Sequence, residues 1–436
     1  MDRRKFLLNS GLAAGATLAM PALSCTTQPK EEAPLESFDD WIGIRNQFKL
    51  APDRIHMAQM LLASHPAPVR RAIEMHRKHF DENPTEYWEE NFVQMDKRVA
   101  EAAARYINAG AEEVALTDST SMGLGILYTG FKLKSGDEIL TTTHDHYATE
   151  KSLEFAASRN GATINRISLY TDAATVTVDQ VADTLKKSIT DKTKIVAVTW
   201  VHSSTGVKLP IGEMAKVIKE VNSQRGADKR IYFCVDGVHG FGIEDVSMED
   251  LGCDFFSAGT HKWIFGPRGT GILWGKKDAW DMVVPVIPSF GEVSYYQWLG
   301  QMKDSPLTFN DWCSPGGFHS FEHRWSLNEA FDFHLKIGKK IVQDRTHQLG
   351  IKLREGLKNI KHIKLHTPMS ASLSSGINCF EVDGLTPEEV VKKLTAKKII
   401  SSFSPYAVSY ARLTPNIANT EEEVNKCIDA LEKIKG

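Results

Sequence analysis

Cysteine is scarce in this chain, six residues in 436, which is too few for a disulfide scaffold. No long basic block occurs, and 52 Lys and Arg nearly balance 55 Asp and Glu for a formal charge of −3. Nothing is therefore set to neutralise a run of phosphates, which argues against nucleic acid as a partner. Past the first two dozen residues no apolar stretch approaches the roughly 18 residues of a membrane span. Internal repeats, low-complexity segments and a G-x-S-x-G nucleophile elbow are also missing. What remains, 42% hydrophobic and 25% charged, is the composition of an ordinary globular protein. Its length suggests two or three domains at roughly 150 residues each.

The beginning of the chain reads as an address. Asp2-Arg3-Arg4-Lys5-Phe6-Leu7-Leu8 puts an arginine pair ahead of a hydrophobic stretch that runs to Leu23. That layout predicts a signal peptide of twin-arginine type over residues 1–25. Ala22-Leu23-Ser24-Cys25 is similar to a lipoprotein cleavage box, so a lipid on Cys25 is the one membrane attachment expected. Residues 26–38 are polar and proline-containing, as a linker would be. The expected destination is export, either to the periplasm or to a lipid-anchored place on the outer side of a bacterial inner or outer membrane.

From about residue 111 apolar strand patterns alternate with helical ones. Strands are expected at Glu113–Leu116, Glu138–Thr142, Thr163–Ser168, Lys194–Trp200, Arg230–Val235, Asp254–Ser257 and Gly271–Trp274. Helix-period segments at Met122–Phe131, Ala148–Arg159, Val178–Ser188 and Gly212–Val221 separate the first five. The fold class is thus α/β, a large domain over 39–325 whose mostly parallel mixed sheet of about seven strands is flanked by helices. Beyond residue 326 one long helix (Ser326 to about Leu357) leads into short strands, including Ile399–Ser402, and two more helices. The last helix opens with a capping box, Thr420 as N-cap and Glu423 reaching back. Residues 326–436 are read as a smaller α+β domain.

Chemistry in such sheets gathers where loops leave the carboxyl ends of the strands. One strand ends in Asp236-Gly237-Val238-His239, and the next is followed by Thr260-His261-Lys262-Trp263 and Gly266-Pro267-Arg268-Gly269-Thr270-Gly271. A carboxylate ending one strand and a lysine just past the next converge on one crevice. Pyridoxal phosphate needs that pair, a lysine for the Schiff base and an acid for the pyridinium nitrogen. Thr117-Asp118-Ser119-Thr120-Ser121 opens a helix, whose N-terminal N–H groups and hydroxyls suit Thr120 and Ser121 to a phosphate.

These motifs resemble the class V aminotransferase family, and within it the isopenicillin N epimerase-like branch, over nearly all of the chain after the signal. The resemblance implies the pyridoxal phosphate-dependent transferase fold type I and a homodimer with its site near the subunit interface. It implies that Lys262 carries the cofactor and shuttles protons, that Asp236 pairs with the ring nitrogen, that His239 contacts the ring hydroxyl and that His261 contacts the phosphate. Asp145-His146 resembles the family's acid–His step, with His146 flat against the ring and Tyr147 as the alternative. Ser203 stands where the family usually has an Asn near the ring hydroxyl. Arg412, in Arg412-Leu413-Thr414-Pro415, would fork onto the α-carboxylate of a small-molecule amino-acid substrate, a geometry Lys cannot copy. Two departures stand out. Gly316-Gly317 replaces the Gly-Thr that reaches a neighbouring subunit's phosphate, and Met57-Ala58-Gln59-Met60-Leu61-Leu62 lacks the usual Asn and Gly.

Rival readings rest on less. A desulfurase of this family needs a mobile Cys ahead of the arginine, and residues 401–410 contain none, although a C–S lyase without that thiol stays open. His319-Ser320-Phe321-Glu322-His323 matches the H-x-x-E-H pattern of a zinc hydrolase but has no evident third ligand. Gly123-Leu124-Gly125 begins like a dinucleotide loop, but the next Gly is at 130, not 128. The expectation is a pyridoxal phosphate enzyme acting at the α-carbon of an amino acid or amino-acid-like substrate, with no metal. Transamination, epimerisation and lyase chemistry all remain open at this point.

Overall fold

The computed structural model describes Phe38 and residues 40–436. The expected signal peptide, Cys25 and nearly all of the expected linker lie outside the described residues. Seven strands form the main sheet: β1 (Val114–Thr117), β2 (Glu138–Thr142), β3 (Thr163–Ile167), β4 (Thr193–Thr199), β5 (Tyr232–Asp236), β6 (Phe255–Gly259) and β7 (Gly271–Gly275). Their order is β1-β7-β6-β5-β4-β2-β3, with β7 antiparallel to both neighbours and every other pairing parallel. The seven expected strands all form, each within two residues of its expected ends.

Alternation along the strands explains why the sheet needs helices on both faces. Ile195 and Ala197 of β4 belong to one buried cluster, Val196 and Val198 to another. The helices Thr120–Gly130 and Tyr147–Asn160 follow β1 and β2, while Val178–Ser188 precedes β4 and Ile211–Asn222 follows it. Residues of β1, β5 and β6 are buried throughout, as doubly covered strands must be, whereas β3 at the sheet edge is partly exposed.

A second, antiparallel sheet of Ser402–Phe403, Ala411–Leu413, Asn378–Val382 and Ile363–Leu365 lies in the C-terminal part. Leu353, Leu394 and Val424, one from each of three helices, pack against its Phe380 and Leu413. The capping box of Thr420 and Glu423 forms as expected.

Three expectations need correction. The single helix from Ser326 is two, Leu327–Ile337 and Lys339–Lys358, because Gly338 takes φ +99°, a conformation that ends the first helix. The strand Ile399–Ser402 is split: Ile399–Ile400 pairs in parallel with Ile55–His56, and Ser402–Phe403 joins the second sheet. That pairing also ties the N-terminal segment, assigned with the large domain, to the C-terminal part, and Met57 is buried in the C-terminal cluster. Of two helices that the sequence pattern left unassigned, Pro84–Ile107 packs on β1, and Ala67–Glu82 packs on that helix and on the helix Leu327–Ile337.

Candidate active site

The site forms where β1, β2, β4, β5 and β6 end on one side of the sheet. Register sets Thr199 beside Asp236 and Asp236 beside Ser257 at that edge. The helix Thr120–Gly130 lies directly on it. A Cβ on Gly123 would come within 2.2 Å of Ser257 Oγ, so only glycine allows this approach. Ser119 caps the helix by accepting from the Met122 N–H at 3.1 Å, and Thr120 Oγ1 accepts from the Gly259 N–H at 2.7 Å. The N–H groups at this helix start make a position suited to an anion.

Asp236 closes β5 and is 1% exposed. Its Oδ1 accepts from the Val238 N–H and its Oδ2 from the Thr149 hydroxyl, both at 3.2 Å. Burial pushes its carboxyl up to about 6, against the pull of the Val238 N–H and of Lys262. Lys262 sits in the turn after β6, its Nζ 3.3 Å from His239 Nε2. Desolvation brings its ammonium down to about 8, with Asp236 opposing and Arg412 assisting the shift. Burial likewise drives His239 well below its ordinary range, and His261 down to about 4.

Arg412 arrives from the second sheet and is 2% exposed. Nε donates to Ser402 Oγ at 3.2 Å, Nη1 to the Ser203 carbonyl at 2.8 Å and Nη2 to the Phe403 carbonyl at 2.7 Å. Five donors minus these three leave one N–H on each terminal nitrogen, a fork for a carboxylate. Ser203 also shares a hydrogen bond of 2.7 Å with the Tyr406 hydroxyl. His146 is the N-cap of the helix Tyr147–Asn160, its Nδ1 accepting from the Ala148 N–H at 3.2 Å. The alternative, Tyr147, is 70% exposed and turned away from the cavity.

Asp236, Lys262, His239, His261 and Arg412 all line a single cavity of about 180 Å³. Thr120, Ser121, His146 and Ser203 line the same cavity, so the nine residues expected to bind cofactor or substrate are brought to one place. Sequence reasoning missed Thr149, which orients Asp236 from the first turn of a helix and carries no motif. It also missed Tyr406, which meets Ser203 only through the fold. Gly316 and Gly317 line a separate groove of about 490 Å³ with Phe290.

The metal alternative does not assemble. His319 Nε2 faces the Pro315 carbonyl at 3.2 Å, while His323 Nδ1 faces the Arg268 carbonyl at 3.0 Å. Glu322 instead accepts from Ser320. Only residues 321–324 are helical, so the two histidines are not stacked one turn apart. Among the described residues no cluster of three metal-ligating side chains exists. Cys234, Cys253, Cys313, Cys379 and Cys427 are all buried, and burial raises each thiol, Cys313, Cys379 and Cys427 to about 12. None of these has the accessible low-pKa environment of a reactive cysteine.

The donor set fits pyridoxal phosphate: an amine with a lowered pKa, a carboxylate with unspent acceptor capacity, a helix start for the phosphate and a guanidinium fork for substrate. Such a set, on an α/β fold of this strand order, defines a pyridoxal phosphate-dependent enzyme of fold type I. The family model for Aminotransferase class-V matches residues 64–426, and the chain belongs to that family.

Among curated relatives, a probable cysteine desulfurase of Halalkalibacterium halodurans is 27% identical over 77% of this chain and 81% of its own length. The isopenicillin N epimerase of Streptomyces clavuligerus is 22% identical over 91% of this chain and 99% of its own. Among solved structures, C-DES with glycine covalently linked to its pyridoxal phosphate superimposes with a TM-score of 0.76 at 22% identity. The match covers 89% of this chain and 99% of C-DES. A second structure holds the same protein, a cystine C–S lyase, with its product cysteine persulfide.

Proposed function

We propose that the protein holds a free amino acid, or an amine resembling one, by its α-carboxylate and breaks a bond to hydrogen at the α-carbon, in transamination or epimerisation. One observation carries this reading: the Lys262 amine, the Asp236 carboxylate and the free fork of Arg412 share one small cavity. Pyridoxal phosphate supplies a sink for the electrons left when an α-bond breaks. Lys262 would hold the cofactor and move protons at the α-carbon, for which an amine lowered to about 8 is well matched. Asp236 holds the ring nitrogen in its protonated form. Thr120, Ser121 and His261 would hold the cofactor's phosphate, and His239, Ser203 and His146 would hold its ring. Arg412 would hold the substrate's α-carboxylate and orient its α-carbon toward Lys262.

A C–S lyase is the second reading, favoured by the desulfurases among the relatives and by the likeness to C-DES. The five described cysteines are buried, so sulfur would leave with the product and not on an enzyme thiol. A screen of amino acids with and without a keto-acid acceptor separates the readings. Acceptor-dependent amino transfer supports an aminotransferase, and L-to-D conversion without acceptor an epimerase. Release of pyruvate, ammonia and sulfide or persulfide from cysteine or cystine overturns both in favour of the lyase.

The protein is further inferred to be a homodimer. Supporting this, Phe290, Trp298 and Phe318 are exposed apolar side chains, the last two at 78% and 76%. They flank or line the groove that holds Gly316 and Gly317 and its neighbourhood. Sedimentation of a Trp298→Lys variant as a monomer supports the dimer; a monomeric wild type refutes it. Export by the twin-arginine route, with Cys25 as a lipid anchor, is inferred from residues 1–25. No helix among the described residues is long and apolar enough to cross a membrane. Fusing residues 1–30 to a reporter tests this: secretion must be lost when Arg3 and Arg4 become Lys, and persistence contradicts it.

A further inference from the structure

One polar contact beside the reactive amine has no part in the chemistry above. The indole Nε1 of Trp263, the residue after Lys262, lies 3.2 Å from Nδ1 of His239. Nε2 of the same imidazole lies 3.3 Å from Lys262 Nζ. An indole N–H can only donate, so Nδ1 must offer a lone pair, and a neutral imidazole then carries its proton on Nε2.

We propose that Trp263 is a positioning residue: its hydrogen bond fixes His239 as an Nε2–H donor toward Lys262 Nζ, which biases the lysine toward the free, nucleophilic amine. The proposal rests on reading Lys262 as the residue that captures pyridoxal phosphate, and it concerns the protein before capture.

Each alternative leaves donors facing donors. An ammonium at Lys262 would need a bare Nε2, hence a proton on Nδ1, which would meet the indole N–H at 3.2 Å. A doubly protonated His239 would confront Trp263 in the same way. The indole cannot turn aside, since Trp263 is 2% exposed and a Cβ on Gly376 would stand 2.6 Å from its ring. The surrounding charges agree. Lys262, Arg412, His146 and His261 all disfavour a positive His239, and burial disfavours it most. Around Lys262, Arg412 disfavours the ammonium and Asp236 alone among the neighbouring groups favours it.

Two readouts on the full chain freed of cofactor test this. In ¹⁵N-histidine spectra the His239 ring, identified by its loss in His239→Gln, should show a protonated Nε2 and a bare Nδ1 across neutral pH. A wild-type ring protonated on Nδ1 overturns the proposal without any need for a variant to fold. The second readout is the pH dependence of the rate at which pyridoxal phosphate is captured on Lys262, trapped with borohydride and measured by mass spectrometry. Trp263→Phe keeps a buried ring and loses the N–H. It should displace the profile to higher pH, and capture at about pH 7 should slow roughly tenfold for every pH unit of that displacement. A folded Trp263→Phe protein with the wild-type profile overturns the proposal. Failure of the wild type to capture the cofactor at any pH would refute the cofactor reading, and the histidine spectrum would still decide the tautomer.

Discussion

Two buried aspartates, Asp145 after β2 and Asp236 at the end of β5, stand at the same edge of the sheet and are used in opposite ways. Burial raises both carboxyls. Asp145 Oδ2 accepts from the Thr141 hydroxyl at 3.0 Å and from the N–H and hydroxyl of Thr142 at 2.8 and 2.7 Å. Its Oδ1 accepts from the Thr199 N–H at 2.6 Å, which staples the loop carrying His146 to β4. Asp236 has only two contacts, each of 3.2 Å. An ionised carboxylate offers about four acceptor sites. Asp145 has spent them on structure, and Asp236 keeps capacity in reserve beside a lysine. Unspent hydrogen-bonding capacity in a buried acid distinguishes the functional group from the structural one.

The sharpest way to break this contrast is to neutralise each acid in turn. Asp236→Asn should lower turnover roughly 10²–10⁴-fold, the usual range when a group that controls proton transfer is lost. The same change should stabilise the cofactor-free protein. Its folded pKa of about 6 lies above the ordinary 3.8, so the stability that the neutral acid contributes is full below about pH 4 and lost as pH rises through 6. At neutral pH the ionised acid thus costs about 3 kcal/mol, which Asn removes, and urea unfolding measures the difference. Asp145→Asn should do the reverse. An amide nitrogen facing the Thr donors destabilises by about 2–4 kcal/mol by the same unfolding assay, with turnover per folded molecule largely retained. Equal effects of the two variants on turnover would erase the distinction.

Arg412→Lys loses the planar fork and should cut kcat/KM roughly 10–100-fold, while cofactor uptake, followed by absorbance, stays unchanged. The smallest effect is expected at Tyr406→Phe. It removes one hydrogen bond to Ser203, worth about 1 kcal/mol, and should change KM by about fivefold or less in steady-state kinetics.

The strands were legible because doubly covered β-strands are short apolar runs between turn residues, and β5 and β6 announce their ends with Asp236 and Gly259. Eight of the nine site residues were legible because each lies at or just past the carboxyl end of a main-sheet strand, and Arg412, on a strand of the second sheet, was legible through the Arg-Leu-Thr-Pro run around it. Other features gave no such signal. Gly338 interrupts a helical pattern that is apolar on both sides of it, so periodicity alone runs through the break. Ala67–Glu82 and Pro84–Ile107 are charged enough to hide their buried faces. Thr149 and Tyr406 act through hydrogen bonds to partners 87 and 203 positions distant, which no local pattern encodes. The pairing of Ile55–His56 with Ile399–Ile400 joins segments more than 300 residues apart for the same reason.

The most direct measurement is peptide mapping of the full chain after incubation with pyridoxal phosphate and borohydride reduction. The account predicts one pyridoxyl group per chain, on the peptide containing Lys262, and none in Lys262→Ala. A stoichiometric label on any other lysine, or no label on the wild type, contradicts it.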